Sequence, residues 1–448
     1  MLLRVLPSDT PASGGRAPTQ IYRPFFLAGV LTVLTAGCLL GAVALFGIAQ
    51  QASYTASAWT PYVLAHANSQ LYGWVGFFIM GFSLQQHAPS IERAALFHRL
   101  AYVTLGLMGA GIALRFVAEP LTAVDRDVWL PVGVLSGLLQ LAAVALFIVN
   151  TSVTRYRTRG ALTWPTAFVF SSLFWLVAVA VAEPFVFALS HQADPQASVI
   201  FVAEWFTPLR EAQFLGFVAM MIFGVALVKM SSCFGFREPD RMWGLAGLGL
   251  WWAGLIARIV GWQMFYGAEL LPDASRLFRF GGVLLALGAL SIVVSLGIFE
   301  RPQFTIRAHK FVRAAFAWLL VAGALLLIEP IHLSVMHAPF SHAYTGAIRH
   351  AVTVGFISQM ILGVGIHVVG RSTGLDESKL SPLWTVFILL NVGNAARVGL
   401  EIATDYRVEA FMPMGFTGFI ELTALILWAG AMVVPMIATR RVKMAYEC

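Results

Sequence analysis

Two histidines carry the strongest chemical signal in this 448-residue chain. Imidazole is the commonest side-chain ligand for metals and the usual axial ligand of a haem iron. His66 and His350 each open a long apolar stretch, and the two stretches hold corresponding places in an internal repeat. On that repeat His350 matches Glu211 and Asn68, while His66 lies two residues earlier. Either histidine alone reads as an ordinary hydrogen-bonded residue near a helix end. The pair at matched positions reads as two ligands that face each other across a gap. Gly73, Gly76 and Gly355, one or two turns further on, would let a flat macrocycle approach the backbone.

Arginines form a second set. Arg115, Arg258 and Arg397 each follow the first glycine of a G-x7-G pair at one distance (73 to 115, 216 to 258, 355 to 397). An unpaired arginine at bilayer depth costs roughly 2.5–3.5 kcal/mol, so each needs a partner. Glu119 and Glu401 stand four residues after Arg115 and Arg397, the spacing of an intrahelical ion pair. The functional alternative is that the guanidinium groups hold haem propionates. Arg210 and Arg349, again one repeat apart, are further candidates for that role. A third set is His332, Met336, His337 and His342, with Met412 and Met414 in another loop on the same side. Imidazole and thioether suit copper, although solvated loop histidines with this spacing are common.

These residues must be positioned by helices that cross a membrane. Hydrophobic residues make up 59% of the chain and charged residues 11%, too little charge to cover a soluble domain. The sequence divides into about twelve apolar stretches of roughly 20 residues, the length that spans a hydrocarbon core as helix. The G-x7-G pairs Gly73/Gly81, Gly216/Gly224 and Gly355/Gly363 recur at offsets of 143 and 139 residues (73 to 216, 216 to 355). That period holds four spans. The expected fold is therefore all-α, twelve transmembrane helices in three pseudo-repeats of four. The modules are 21–160, 161–305 and 306–438, with a disordered N-terminal tail 1–20 and a basic C-terminal tail 439–448. Glu183-Pro184 and Glu329-Pro330 are expected to end the fifth and ninth helices.

Net charge is +7, and most basic residues fall in alternate connections, among them Arg155, Arg157, Arg159, Arg301, Arg307 and Arg440. This asymmetry places both termini in the cytoplasm and accounts for the basic excess without nucleic acid. Three cysteines offer no C-x-x-C pair and no covalent haem motif. The chain also lacks a P-loop, a dinucleotide-binding glycine fingerprint and H-E-x-x-H.

Tyr22-Arg23-Pro24-Phe25-Phe26-Leu27 resembles the opening motif of the NnrS family of bacterial membrane proteins. His66-Ala67-Asn68-Ser69-Gln70-Leu71-Tyr72-Gly73 is similar to that family's H-A-H-E-M-L-F-G, and His350-Ala351-Val352-Thr353-Val354-Gly355 to its H-A-L-T-V-G. Thr373-Gly374 fits the T-G that follows. The resemblance runs nearly end to end. It implies a multi-pass bacterial inner-membrane protein that binds haem b and copper and responds to nitric oxide or nitrosative stress. Nitric oxide or another diatomic ligand, membrane quinol or an electron-transfer protein are the partners it suggests. Asn68 replaces the second histidine of the first motif and Ser372 a histidine near the inner end of the tenth helix, so a site that used either is altered here. A wider architectural resemblance is to subunit I of haem-copper oxidases, whose haem ligands lie on helices 2 and 10. The copper-holding histidines of its helices 6 and 7 have no counterparts, which argues against a dinuclear reducing centre. Two alternatives stay open: a haem-dependent membrane quinol oxidoreductase, and a twelve-helix solute transporter with a midplane cavity and broken helices.

Overall fold

A computed structural model describes residues 20–54, 58–88, 94–158, 162–267, 271–373 and 383–438. The expected tails, 1–20 apart from Gln20 and 439–448, lie outside the described residues. All regular structure among the described residues is helical. In chain order the long helices are α1 Tyr22–Gln51, α2 60–86, α3 Ala94–Leu121, α4 Arg126–Thr158, α5 Thr166–Ser190 and α6 Pro195–Phe234. They continue with α7 Arg241–Gly267, α8 Leu271–Leu296, α9 His309–Val335, α10 His342–Thr373, α11 Trp384–Ala403 and α12 Phe411–Ala438.

Eleven of these helices are long and apolar enough to cross a membrane, and the chain is a multi-pass membrane protein. Helix α2 is the exception, because Asn68, Ser69 and Gln70 interrupt its apolar run. Its residues from Leu71 to Phe78 are nevertheless all buried, so the polar interruption faces protein rather than lipid.

Packing follows a ring. Helix α3 packs on α4, α7 on α8 and α11 on α12, while α4 meets α5, α8 meets α9 and α12 meets α1 to close the circle. Inside stand α2, α6 and α10. Burial separates the two layers: 72% of the most apolar window of α10 and 61% of that of α6 are buried, against 33% for α3.

Each inner helix contains one π-helical segment, Ser69–Gly76, Ala212–Ala219 and Ala351–Ser358. These lie at the same offsets as the glycine pairs. Wide π turns leave backbone carbonyls out of the ordinary ladder and often mark functional positions. The segment of α6 touches those of both α2 and α10, at the middle of the ring.

The G-x7-G glycines dock each inner helix on the helix that precedes it. A Cβ at Gly73 would lie 2.3 Å from Thr32, at Gly216 2.6 Å from Trp175, and at Gly355 2.6 Å from Trp318. The second glycines behave alike: Gly81 abuts Phe25, Gly224 abuts Phe168 and Val169, and Gly363 abuts Phe311 and Val312. The contacting residues Thr32, Trp175 and Trp318 are themselves evenly spaced. Close helix approach through small residues is the usual cement of a membrane bundle, where lipid removes the hydrophobic drive to associate.

Helices α5 and α9 do not end at their Glu-Pro pairs. They continue through Pro184 and Pro330 to Ser190 and Val335. Proline is tolerated inside a membrane helix when neighbouring groups satisfy the carbonyl it strands. One turn before Pro330, Tyr344 donates its hydroxyl to the Leu325 carbonyl at 2.8 Å.

Candidate functional site

The polar chemistry of the interior is concentrated where α2, α6 and α10 begin, at the end opposite the basic connections. Here, among the described residues, five arginines and six glutamates are buried or nearly so, and two of the three repeated arginines, Arg115 and Arg258, reach glutamates on a later helix.

Arg115 on α3 bonds Glu119 one turn on and reaches Glu183 of α5 at 3.4 Å. Its guanidinium lies 4.4 Å above the ring of Phe187. Arg258 on α7 repeats the arrangement: it bonds Glu211 of α6 at 2.8 Å, reaches Glu329 of α9 at 3.3 Å and covers Phe278 at 3.8 Å. Side chains of Arg115, Glu119 and Glu183 are at most 2% exposed. Each of these arginines thus has two carboxylates, and each joins one four-helix set to the next. The ion-pair expectation for Arg115 and Glu119 is met, and the seam-crossing glutamates are the partners that i,i+4 reasoning did not show.

The third seam differs. Arg397 on α11 bonds Glu401 at 3.0 Å, but its Nε and Nη1 have no hydrogen-bond partner. Both side-chain atoms of Asn394, one turn earlier, and Oε1 of Glu421 on α12 are likewise buried and unpartnered. The acid that would complete the pattern is missing from α1. Thr32 seats Gly73 as Trp175 seats Gly216, and Glu183 follows Trp175 by eight residues. Glu329 follows Trp318 by eleven residues, so the seam acids keep no single spacing from these contacts, and α1 carries no acidic residue at either distance.

On α1 the imidazole of His66 packs instead against Gly41. A Cβ at Gly41 would lie 2.4 Å from the imidazole of His66. His66 Nδ1 is 2.8 Å from the Gly37 carbonyl at the end of the α1 π turn. His350 Nδ1 is 3.0 Å from the Gly346 carbonyl and 3.3 Å from Glu401. A Cβ at Gly346 would lie 2.2 Å from Glu401, so that glycine admits the carboxylate to the flank of α10. Carbonyl acceptors fix the proton of both rings on Nδ1 and leave Nε2 with its lone pair, the tautomer of a metal-ligating histidine.

The remaining expected site residues fall elsewhere. Asn68 forms a reciprocal amide pair with Gln140 of α4 at 3.2 and 2.9 Å. Arg210 donates to Gln213 at 2.6 Å, and Gln213 in turn to Glu183 at 2.6 Å. Arg349 donates to Thr207 at 3.3 Å. Arg210 and Arg349 therefore hold neutral direct partners, and both border a cavity of about 50 Å³ beside Arg258. Gly73 and Gly355 have their open faces filled by Thr32 and Trp318, so packing occupies the space expected for a macrocycle.

His332 is buried and bonds Asp405 at 2.7 Å through Nε2 and the Tyr406 hydroxyl at 3.0 Å through Nδ1. Ser341 donates to the same Asp405 oxygen at 2.5 Å. Both nitrogens of His332 are thus engaged, whereas His337 and His342 are exposed. The described residues contain no group of three or more His, Cys, Asp and Glu side chains placed to hold a metal ion.

Above the third seam, Tyr54 bonds Thr404 at 2.9 Å and the sulfur of Met414 at 3.1 Å. Burial, with the Glu401 carboxylate nearby, pushes its phenol up to about 12. Sequence reasoning missed Gly41, Gly346 and Asn394.

Fold and site together define a multi-pass helical membrane protein with a buried charged layer that is closed at two seams and open at the third. No protein-family model matches the chain, and no curated protein matches it.

Proposed function

We propose that the seam between α11–α12 and α1–α2 binds a b-type haem, with His66 and His350 as axial ligands. The observation that carries this reading is the matched tautomer: both rings give Nδ1 to a backbone carbonyl and keep Nε2 for a metal. Orphaned N–H groups of Arg397 and Asn394 beside His350 suit a carboxylate-bearing group. Arg210 and Arg349, whose direct partners are neutral, suit a propionate better than Arg115 and Arg258, which are saturated by two glutamates each. Neither imidazole borders the cavities of about 50 and 340 Å³. Haem in this position therefore requires the outer ends of α2 and α10 to stand further apart than they do here. When bound, haem supplies electron transfer, or diatomic-gas binding once one imidazole leaves.

On the resemblance to NnrS proteins, we place this chemistry in a bacterial inner-membrane response to nitric oxide or nitrosative stress. The same reading takes α2 as a twelfth span, the chain as three four-helix modules and both termini as cytoplasmic. Copper at His332, His337 and His342 has no comparable support, since His332 spends both nitrogens on Asp405 and Tyr406. The transporter alternative expects broken helices, whereas α6 and α10 run on through their π segments.

The test is an absorption spectrum of detergent-purified protein, oxidised and reduced, with iron and copper analysis. A Soret band with stoichiometric iron, lost in both His66→Ala and His350→Ala, is the expected result. Absence of haem after expression with haem precursor, or an unchanged spectrum in either variant, overturns the paired-ligand reading.

A further inference from the structure

Between α6, α7, α8, α9 and α10 lies the interior cavity of about 50 Å³ that Arg210 and Arg349 border. None of its lining residues is exposed. Most of the wall is apolar, with Trp251 from α7, Leu285 from α8 and Leu319 and Leu326 from α9. Its charged lining is three arginines, Arg210, Arg258 and Arg349, against one glutamate, Glu211. Glu211 is already joined to Arg258 at 2.7 Å, and Arg258 also reaches Glu329 at 3.3 Å. A guanidinium carries five N–H donors and no acceptor. Among the described residues, Arg210 gives one of its donors to Gln213 at 2.6 Å, and Arg349 gives one to Thr207 at 3.3 Å.

We propose that this cavity binds a small monovalent inorganic anion, a halide or a planar oxyanion, held by the guanidinium groups of Arg210 and Arg349. Volume sets the size of the ligand. The cavity of about 50 Å³ is several times the roughly 10–15 Å³ that one water needs, and far below the roughly 300–1,000 Å³ of a pocket for an organic molecule. Charge sets its sign. Two like charges facing one interior cavity repel each other with little screening, and an anion between them replaces that repulsion by attraction. Hydrogen bonding points the same way: the two arginines bring donors, the Thr345 hydroxyl on the same wall adds another, and the Glu211 carboxylate is engaged by Arg258. The site does not rest on the haem reading. It is too small for a porphyrin, and a propionate that reached the same two arginines would displace the anion.

The experiment is equilibrium dialysis of radiolabelled chloride against the full chain in detergent, purified without added haem precursor and with gluconate as the balancing anion. A single chloride per chain is expected, displaced by nitrate but not by gluconate, which is too large for the cavity. Arg210→Gln and Arg349→Gln each remove a charged donor and should weaken binding by about tenfold or more. Ala322→Leu fills the cavity without changing charge and should weaken binding as much. If the arginine variants fail to fold, anomalous scattering from bromide in crystals of the unaltered chain locates the ion, which should lie against both guanidinium groups. No stoichiometric chloride, binding that both arginine substitutions leave unchanged, competition by gluconate, or a cavity holding only water in the bromide crystals overturns the proposal. Because the dialysed chain carries no added haem, failure here leaves the Soret test of the haem reading standing, and failure there leaves this one.

Discussion

Removing the arginine from each seam in turn should destabilise the protein unequally. Arg115→Met leaves Glu119 and Glu183, 0% and 1% exposed at the side chain, without their arginine, Glu119 keeping only His191 at 3.7 Å. Arg258→Met does the same to Glu211 and Glu329, 11% and 4% exposed. Deleting one member of a buried pair costs about 3–5 kcal/mol, because the remaining charge is left in a poor solvent. Arg115→Met should reach the top of that range, since its two acids are the better buried. Arg397→Met strands only Glu401, which keeps His350 at 3.3 Å. It also removes two buried N–H groups that lack partners, relieving about 1–3 kcal/mol of desolvation penalty for each. Its net cost should therefore be no more than about 2 kcal/mol. Reversible unfolding in mixed micelles, or steric trapping in bicelles, measures all three. In the first seam, adding Glu119→Gln and Glu183→Gln to Arg115→Met should restore most of the loss, since no uncompensated charge remains. Equal costs at the three seams, or no recovery in the triple variant, would show that the layer is not organised by these pairings.

Gly73→Ala and Gly355→Ala should each destabilise by about 1–3 kcal/mol through overpacking against Thr32 and Trp318. Gly106→Ala, with nothing within 4 Å, should instead stabilise by about 0.5–1 kcal/mol in the same unfolding assay. His87 sits below its ordinary 6.5 in the folded protein, so the unfolded chain binds the extra proton. Its contribution should be complete above pH 6.5 and fall away as pH drops toward the folded value. His87→Gln should flatten that acid limb of a stability–pH curve. Asp405→Asn should loosen the His332–Ser341–Tyr406 network, read as faster amide exchange at the start of α10 with little change elsewhere.

Helical membrane architecture was legible because apolar length is a one-dimensional property, and the repeat because glycine spacing survives in the chain. The glycines themselves misled. A glycine beside a histidine looks like room for a cofactor, yet Gly73 and Gly355 lack side chains because Thr32 and Trp318 need the space. That contact joins residues 41 and 37 positions apart, which no local pattern shows. Pairing Arg115 with Glu119 was visible at helical spacing, whereas Glu183 is 68 residues away and becomes a partner only when α3 meets α5. Helix α2 shows the reverse problem: its polar Asn68, Ser69 and Gln70 depress its hydropathy because they face α4 and the interior rather than lipid.

The open seam is where the repeat stops being structural and becomes selective. At two seams a glutamate from a following helix meets the repeated arginine, which then holds two carboxylates. At the third, α1 offers no acid, and His66 packs against Gly41. Nε and Nη1 of Arg397 stay without hydrogen-bond partners there, and the imidazole of His66 donates to the Gly37 carbonyl of α1. Random drift in a joint would leave a void or a lipid-facing repair. Here the loss of the acid coincides with a second imidazole, His350, at the position held by Glu211 in the preceding set, and with Asn394 and Glu421 left unpaired. Buried polar atoms without partners are costly, and Arg397, Asn394 and Glu421 carry that cost at this seam. Converting it to the saturated type, with Gly41→Glu and His66→Ala together, should raise the unfolding free energy while abolishing any haem signal. A stabilised variant that kept the signal would separate the seam from the site.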